Sequence, residues 1–379
     1  MDPSPESPVV LQVLPSLVTG GVERGTVEIT QAIVEAEATA LVASAGGPMV
    51  VQVQRAGGVH VALPLKTKNP WRIWRNAEAI ADLIRDRKVS LVHARSRGPA
   101  WSAWLACQRT GAPFVTTYHG TYDESFPLKR QYNAVMARGR IVIAASHYIA
   151  NLIQTRHAID PERIRVIPRG VDPNVFNPET VSGQRIANIA DQWRLPDDAR
   201  TIVLPGRLTA WKGHRVLLDA LAILGRSDVM CVFLGSDQGR SGYARSLEQQ
   251  ARRLGIADRL RLVGHTDDVA AALSLADVVV HASTKPEAFG RVIIEAQAMA
   301  RPVVAADLGG PVETVRHGET GWRVRPGDPA TLAAALRTAL DLSPEERLAL
   351  GQRARASVPT VRAMQDATLD VYETVLTSH

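Results

Sequence analysis

Two carboxylates with seven residues between them, Glu287 and Glu295, stand in the run KPEAFGRVIIEAQAMARPVV. Glu287 precedes a stretch of helical spacing, and Ala288, Phe289 and Gly290 would offer main-chain N–H groups at its start. Such groups hold an anion or a hydroxyl. Glu295 falls one to two turns into the same helix, where a carboxylate suits the vicinal diol of a ribose. Its neighbours Val292, Ile293, Ile294 and Ala296 are apolar. A buried carboxylate there needs a partner, and an ordinary surface acid is the alternative. Upstream, GRLTAWKGH sets Arg207 and Lys212 after an apolar run. Two fixed cations at a strand end suit a diphosphate, and a solvated basic loop fits the same residues.

Gly20-Gly21 follows the first apolar run and leads into helical spacing. Glycine lets the backbone approach a phosphate closely. The spacing is GGxxxG with no GK[ST] after it, which excludes a nicotinamide fingerprint and a Walker loop and leaves a plain tight turn open. His119 in TTYHG follows another apolar run; it either reaches into a cleft or is structural. No DxD triplet, HExxH or Cys/His cluster occurs in the sequence. A divalent metal is therefore not demanded, and no cofactor is expected.

These residues need elements to position them. Short apolar runs alternate with amphipathic segments, the pattern of βα units on a parallel sheet. Strands are predicted at 9–14, 40–43, 60–63, 91–93, 114–117, 141–144 and 164–167, with a helix beginning near Val22 and another over 71–87 whose apolar face includes Trp74. A Pro-, Asn- and Gly-bearing stretch at 168–180 reads as a linker or domain boundary. The pattern then restarts, with strands at 201–204, 230–234, 260–263, 278–281, 303–305 and 321–324. Helices are expected at 213–224, 240–254 and 291–300, and three helical segments run from Pro329 onward. Two doubly wound α/β domains follow, with the natural ligand position at the carboxyl ends of strands and a cleft between the domains.

The net charge of +6 lies wholly in residues 1–172, because residues 173–379 carry 24 acids and 24 bases. Of the basic residues only 6 are Lys. No Lys-rich tail or basic–aromatic repeat is evident, so no nucleic-acid partner is expected. A basic half instead meets an anionic substrate or an anionic membrane surface, or reflects composition alone. LKRQYNAVMARGR at 128–140 reads as a basic amphipathic helix able to lie on such a surface. No apolar run is long enough to span a bilayer, and MDPSPESPVV shows no secretion signal. Cys107 and Cys231 sit apart in apolar context and read as buried free thiols of a reducing compartment.

Taken together, PSLVTGGVE, TTYHG, IPRGVD, LPGRLTAWKGH, LVGHTDDV, EAFGRVIIEAQAMARPVVA and GGPVETVRHGETGW resemble the retaining glycosyltransferases of family four, which have the GT-B fold. HARSRGPAW, TTYHGTY and PLKRQYNAVMARG look like a bacterial branch tied to the lipopolysaccharide core or other envelope glycans. The resemblance implies two Rossmann-like domains, 1–172 on the acceptor side and 173–358 for the nucleotide-sugar donor. A C-terminal helix at 359–379 would pack back toward the first. It implies that Gly20 and Gly21 lie against the donor, and that Arg207 and Lys212 hold the diphosphate as it leaves. Glu287 with Ala288, Phe289 and Gly290 would hold sugar hydroxyls and phosphate. Glu295 would bind the ribose, Val263 line the base pocket, and His119 sit at the reaction centre. His119, Arg207, Lys212 and Glu287 are thus the catalytic candidates.

The implied reaction is metal-independent glycosyl transfer, with retention, from a UDP-sugar to a glycan or glycolipid hydroxyl. The implied location is the cytoplasm, peripheral on the inner face of the inner membrane. Ala36–Thr39, Arg169, Lys285 and Ala300 depart from the family pattern, and none of them is one of the candidate site residues. Rival readings are a GT-B nucleotide-sugar epimerase, whose acid/base pair has no evident residues here, and a non-catalytic sugar-nucleotide binding subunit, against which the intact Arg207, Lys212, Glu287 and Glu295 argue.

Overall fold

Residues with Val/Ile/Leu runs and no alternation must bury both faces, and they do so as central strands of two parallel sheets. The structure, a computed structural model, describes residues 7–18, 20–239 and 241–378. The expected N-terminal segment MDPSPE and the start of the helix at Arg240 lie outside the described residues. Contacts divide the chain into two units, 7–168 with 361–378 and 169–360.

In the first unit the strands are β1 (Val9–Val13), β2 (Thr39–Ser44), β3 (Val59–Ala62), β4 (Leu91–Ala94), β5 (Phe114–Tyr118), β6 (Ile141–Ala144) and β7 (Ile164–Val166). They form a seven-stranded sheet in the order β3-β2-β1-β4-β5-β6-β7, every pair parallel. The order reverses between β1 and β4. Crevices at the carboxyl ends of strands beside such a switch point are where doubly wound sheets bind ligands. The helix Val361–Thr377 belongs to this unit: Met364, Val371, Tyr372 and Val375 pack with Val10, Ile29, Ile33 and Leu91. The Tyr372 hydroxyl lies 2.6 Å from Nδ1 of the buried His93, whose Nε2 is 2.7 Å from Thr117 Oγ1.

The second unit holds β8 (Arg200–Pro205), β9 (Val229–Leu234), β10 (Leu260–Gly264), β11 (Val278–His281), β12 (Val303–Ala306) and β13 (Trp322–Val324). Its parallel order, β10-β9-β8-β11-β12-β13, repeats the reversal, now between β8 and β11. One core joins Ile202, Leu204, Phe233 and Val280 to Leu217 and Leu221 of the helix His214–Leu224 and Leu332 and Leu336 of the helix Pro329–Leu340.

Two expectations need correction and a third is narrowed. Of the two readings of the 168–180 stretch, a linker or a domain boundary, the second holds, since the units divide between Pro168 and Arg169. Val171 and Phe176 are buried and Val171 bridges Thr360, so the stretch is packed into the second unit. The 128–140 stretch is not one amphipathic helix but a short helix Pro127–Asn133 followed by a 3-10 turn Ala134–Ala137. Val135 and Met136 are core, Lys129 pairs with Asp123, Arg130 donates to the Arg156 carbonyl, and Arg138 lies 4.1 Å from the Trp104 ring. Its cations are thus committed to the protein itself. The helix expected at 291–300 ends at Ala298, and Ala300 takes φ +54, the left-handed region in which glycine is unstrained.

Both cysteines are buried and free, and burial pushes the Cys107 thiol up to about 12.

Candidate functional site

The second sheet's switch point carries the densest chemistry. The loop after β8 folds into a 3-10 turn Ala210–Lys212 and then Gly213 at φ +78. A Cβ on Gly213 would lie 1.9 Å from the Ala282 carbonyl oxygen, so only glycine lets this turn press onto the end of β11. Thr284 N donates to the Trp211 carbonyl at 2.7 Å and fastens the two loops together. The consequence is an ion pair: Lys212 Nζ donates to Glu287 Oε1 at 2.7 Å, with only 11% of the Lys212 side chain and 16% of the Glu287 side chain exposed.

The same oxygen takes two further groups. His281 Nε2 lies 2.7 Å from it, and the Ser283 hydroxyl donates to it. A carboxylate oxygen accepts, so Nε2 of His281 carries a proton. Burial alone would raise the Glu287 pKa; the hydrogen bond and charge of His281 and those of Lys212 outweigh it and hold the carboxyl well below its usual range. His281 and Ser283 were not singled out in the sequence. His281 ends the run Val-Val-Val-His, where a polar residue at a strand's carboxyl end is the one available signal.

Glycines fix the other side of Glu287. Gly309, at φ +73, bridges it, and a Cβ there would come within 2.7 Å of its carbonyl oxygen. Gly310 N donates to that carbonyl at 2.9 Å. Beyond Glu287, Phe289 is buried and Gly290 caps the helix Arg291–Ala298 at φ +82. That helix therefore starts shortly after Glu287, and within its first turn Ile293 N donates to the Gly290 carbonyl at 2.9 Å.

Glu295 is buried on this helix, and its Oε1 accepts from Arg291 Nε at 3.0 Å. The partner that burial demands is thus one helical turn away. Arg207 is exposed and pairs with no carboxylate among the described residues. The two cations of GRLTAWKGH are not equivalent, for one is locked in the cluster and the other is open to solvent. Val263 is the extra residue of a bulge in β10, between the pairs Leu262–Phe233 and Gly264–Leu234, which takes it out of the regular ladder.

The remaining candidates belong to the first unit. Gly20, at φ +150, caps the helix Gly21–Glu35 after β1, and Thr19 lies outside the described residues. A Cβ on Gly20 would meet a Glu23 carboxylate oxygen at 2.6 Å. His119 is half-buried just past β5, and the hydroxyl of the half-buried Tyr122 hydrogen-bonds its main chain. The structure thus groups Lys212, His281, Ser283 and Glu287 directly and sets Glu295 on the adjoining helix. Gly20 and His119 stand at strand ends of their own sheet.

His214, next to this cluster, gives a pH signature. It is buried edge-on to Phe233 at 4.8 Å. Burial, aided by Lys212 and opposed by a main-chain bond to Thr209, lowers its pKa to about 4. A His whose folded pKa is depressed favours folding fully above about pH 6.5 and loses that contribution as pH falls toward the folded value. Urea unfolding should show a loss on the order of 3 kcal/mol between those limits, and His214→Phe should remove most of it. Equal pH profiles for the two proteins would refute this.

Two family descriptions match the chain: Glycosyltransferase Family 4 over residues 19–175, and Glycosyl transferases group 1 over residues 186–357. A D-inositol 3-phosphate glycosyltransferase of Jonesia denitrificans is 32% identical over 75% of this chain and 71% of its own length. One from Streptomyces scabiei is 33% identical, covering 78% and 70%. A crystal structure of a glycosyltransferase from Rickettsia africae superposes with a TM-score of 0.90 at 32% identity, covering 99% of this chain and 100% of that one. HepE of Anabaena, solved with UDP-glucose, superposes at 0.84 with 24% identity over 97% and 99%, and carries the fold alone. The chain belongs to the group 1, family 4 glycosyltransferases and has their GT-B fold of two Rossmann-like domains. It is a glycosyltransferase that acts on a nucleotide-sugar donor. The expected lipopolysaccharide branch is not what these relatives represent; WaaG, a glycosyltransferase involved in lipopolysaccharide biosynthesis, is similar at 18% identity and a TM-score of 0.74, a likeness of fold.

Proposed function

We propose that the chain transfers a sugar, with retention and without a divalent ion, from a UDP-sugar to a hydroxyl of a phosphate-bearing acceptor. The observation that carries the donor half is the Lys212–Glu287–His281–Ser283 cluster at the second sheet's switch point. A diphosphate leaving with its negative charge would meet Lys212 and Arg207, and the N–H groups before the helix Arg291–Ala298. Donor-sugar hydroxyls would bond Glu287, and the Glu295 carboxylate would take the ribose diol, sharing it with Arg291 or displacing it. The bulged Val263 would border the base. UDP as the nucleotide is supported by neighbours solved with UDP and UDP-glucose.

The acceptor half rests on charge. The whole +6 lies in residues 1–172, and the relatives are named for a phosphorylated cyclitol. An anionic envelope glycan shares that chemistry. Incubation with UDP-, GDP- and ADP-sugars in EDTA, with inositol phosphates and a phosphorylated core oligosaccharide as acceptors, tests the reading. A retained anomeric configuration from a UDP-sugar onto a phosphorylated acceptor supports it. An inverted product, a strict metal requirement, or preference for a neutral acceptor contradicts it.

Glu295→Ala should raise the UDP dissociation constant. Losing a hydrogen bond to a charged group corresponds to roughly 10- to 150-fold. Arg291→Ala, which removes the partner but not the acceptor, should change it far less. Calorimetry showing the reverse order would assign the nucleotide to Arg291 and refute the role of Glu295.

A further inference from the structure

The positive charge of the first unit has a local source. Residues 38–77 contain no Asp or Glu but hold Arg55, Lys66, Lys68, Arg72 and Arg75. Four of these cluster in LKTKNPWRIWRN, around the start of the helix Pro70–Asp86. The Asn69 side chain caps this helix by accepting from Trp71 N at 2.9 Å and Arg72 N at 3.3 Å, and Pro70 occupies its first turn. With the start fixed there, Asn76, Ala77 and Ile80 face inward and the indoles of Trp71 and Trp74 are left outside. Trp71 is 72% exposed and Trp74 45% exposed, although spacing had placed Trp74 on the apolar face. The two rings stack edge to face with centroids 5.6 Å apart.

Lys66, Lys68, Arg72 and Arg75 are all exposed, and none pairs with a carboxylate among the described residues. The next acid along the chain, Glu78, is already taken by Arg109 at 2.7 Å. The loop bearing Lys66 and Lys68 runs close to the helix Pro127–Asn133. A Cβ on Gly98 would lie 3.1 Å from the Thr67 carbonyl oxygen and 3.6 Å from the Tyr132 hydroxyl. At the start of that helix Phe126 is 49% and Leu128 70% exposed. Exposed indoles ringed by unpaired cations are the composition of a bilayer's headgroup zone, where Trp settles and Lys/Arg meet anionic lipid. Among the described residues no helix is long and apolar enough to cross a membrane, so contact would be superficial.

We propose that Trp71 and Trp74, with Lys66, Lys68, Arg72 and Arg75, form a docking surface for an anionic lipid bilayer. This surface replaces the 128–140 segment, whose cations the fold consumes. The two indoles meet edge to face at 71°, so they do not form parallel platforms on which successive nucleic-acid bases would stack. The proposal rests on nothing in the donor site, so either can fail alone. Each cation near such a surface is worth roughly fivefold in partitioning at low salt, and the contribution is screened as the Debye length shrinks.

The test is sedimentation of the full chain with vesicles of phosphatidylglycerol and phosphatidylcholine, or of phosphatidylcholine alone, at low and molar salt. Two variants are compared: Trp71→Ser/Trp74→Ser, and Lys66→Gln/Lys68→Gln/Arg72→Gln/Arg75→Gln. UDP affinity and circular dichroism report that each is folded. The expected result is binding to the anionic vesicles only, reversed by salt and weakened at least tenfold in both variants. Binding that survives in either variant, binding to neutral vesicles equally, or no binding would overturn the proposal. So would tighter association with a single-stranded oligonucleotide, or a dimer that the tryptophan variant dissolves.

Discussion

Lys212→Ala is expected to lower kcat by a factor on the order of 10²–10³ and to leave the chain folded, the size of effect seen when one preorganised donor to a developing negative charge is removed. The argument starts from Gly213, which lets the turn carrying Lys212 press onto Ala282. That contact holds the ammonium 2.7 Å from Glu287 with little exposure to water. In the proposed mechanism a charge held in that way would need no reorganisation as the diphosphate leaves. Arg207→Ala is the informative comparison. Arg207 is exposed and unpaired in the described structure, so its loss should lower kcat without changing stability. Lys212→Ala should do both, because Glu287 then keeps only His281 and Ser283 as partners for the same oxygen. Steady-state rates with urea unfolding of both variants check this. A Lys212→Ala enzyme with wild-type kcat would remove the cation from the mechanism.

The second large effect belongs to Glu287→Gln. The amide keeps the shape and can still accept from Ser283, but it withdraws the counter-charge from a mostly buried ammonium. Breaking one half of such a pair costs about 3 kcal/mol or more, and activity should fall at least as far as in Lys212→Ala. The pH dependence separates charge from shape. The Glu287 pKa is depressed in the folded state. Its stabilisation is therefore complete well above the ordinary carboxylate value of about 4.3 and is lost as pH falls toward the folded value. The stability gap between wild type and Glu287→Gln should thus be constant near neutrality and shrink below that pH. A gap that stays constant into acid would mean that the carboxylate charge contributes nothing.

Much of the architecture was legible because its physics is local. Strands buried on both faces must be apolar without alternation, so runs such as Val-Val-Val-His at β11 mark themselves. The βα rhythm then implied parallel sheets. Glu287 and Lys212 could be singled out because their types and spacing beside strand ends suit a hydroxyl or anion and a diphosphate, but their spacing did not say that they would meet. Their pairing depends on Gly213 allowing two loops from different strands to touch, a contact across 75 residues. His281 and Ser283 were missed for the same reason, since a single His after three valines reads equally well as a core residue.

Trp74 and the 128–140 cations were misread in opposite directions. Helical spacing records which residues share a face but not where a helix starts or what its neighbours offer. Asn69 and Pro70 set the start that exposes Trp71 and Trp74. Carbonyls, a carboxylate and the Trp101 and Trp104 rings consume Arg130, Lys129 and Arg138.

Titration of UDP into the full chain in EDTA tests the central claim most directly, because it asks whether the second sheet's switch point is a nucleotide site that works through protein cations alone. The account predicts saturable one-to-one binding without metal, weakened in Lys212→Ala and roughly 10- to 150-fold in Glu295→Ala. Binding that appears only when a divalent ion is added, or that both variants leave unchanged, would contradict it.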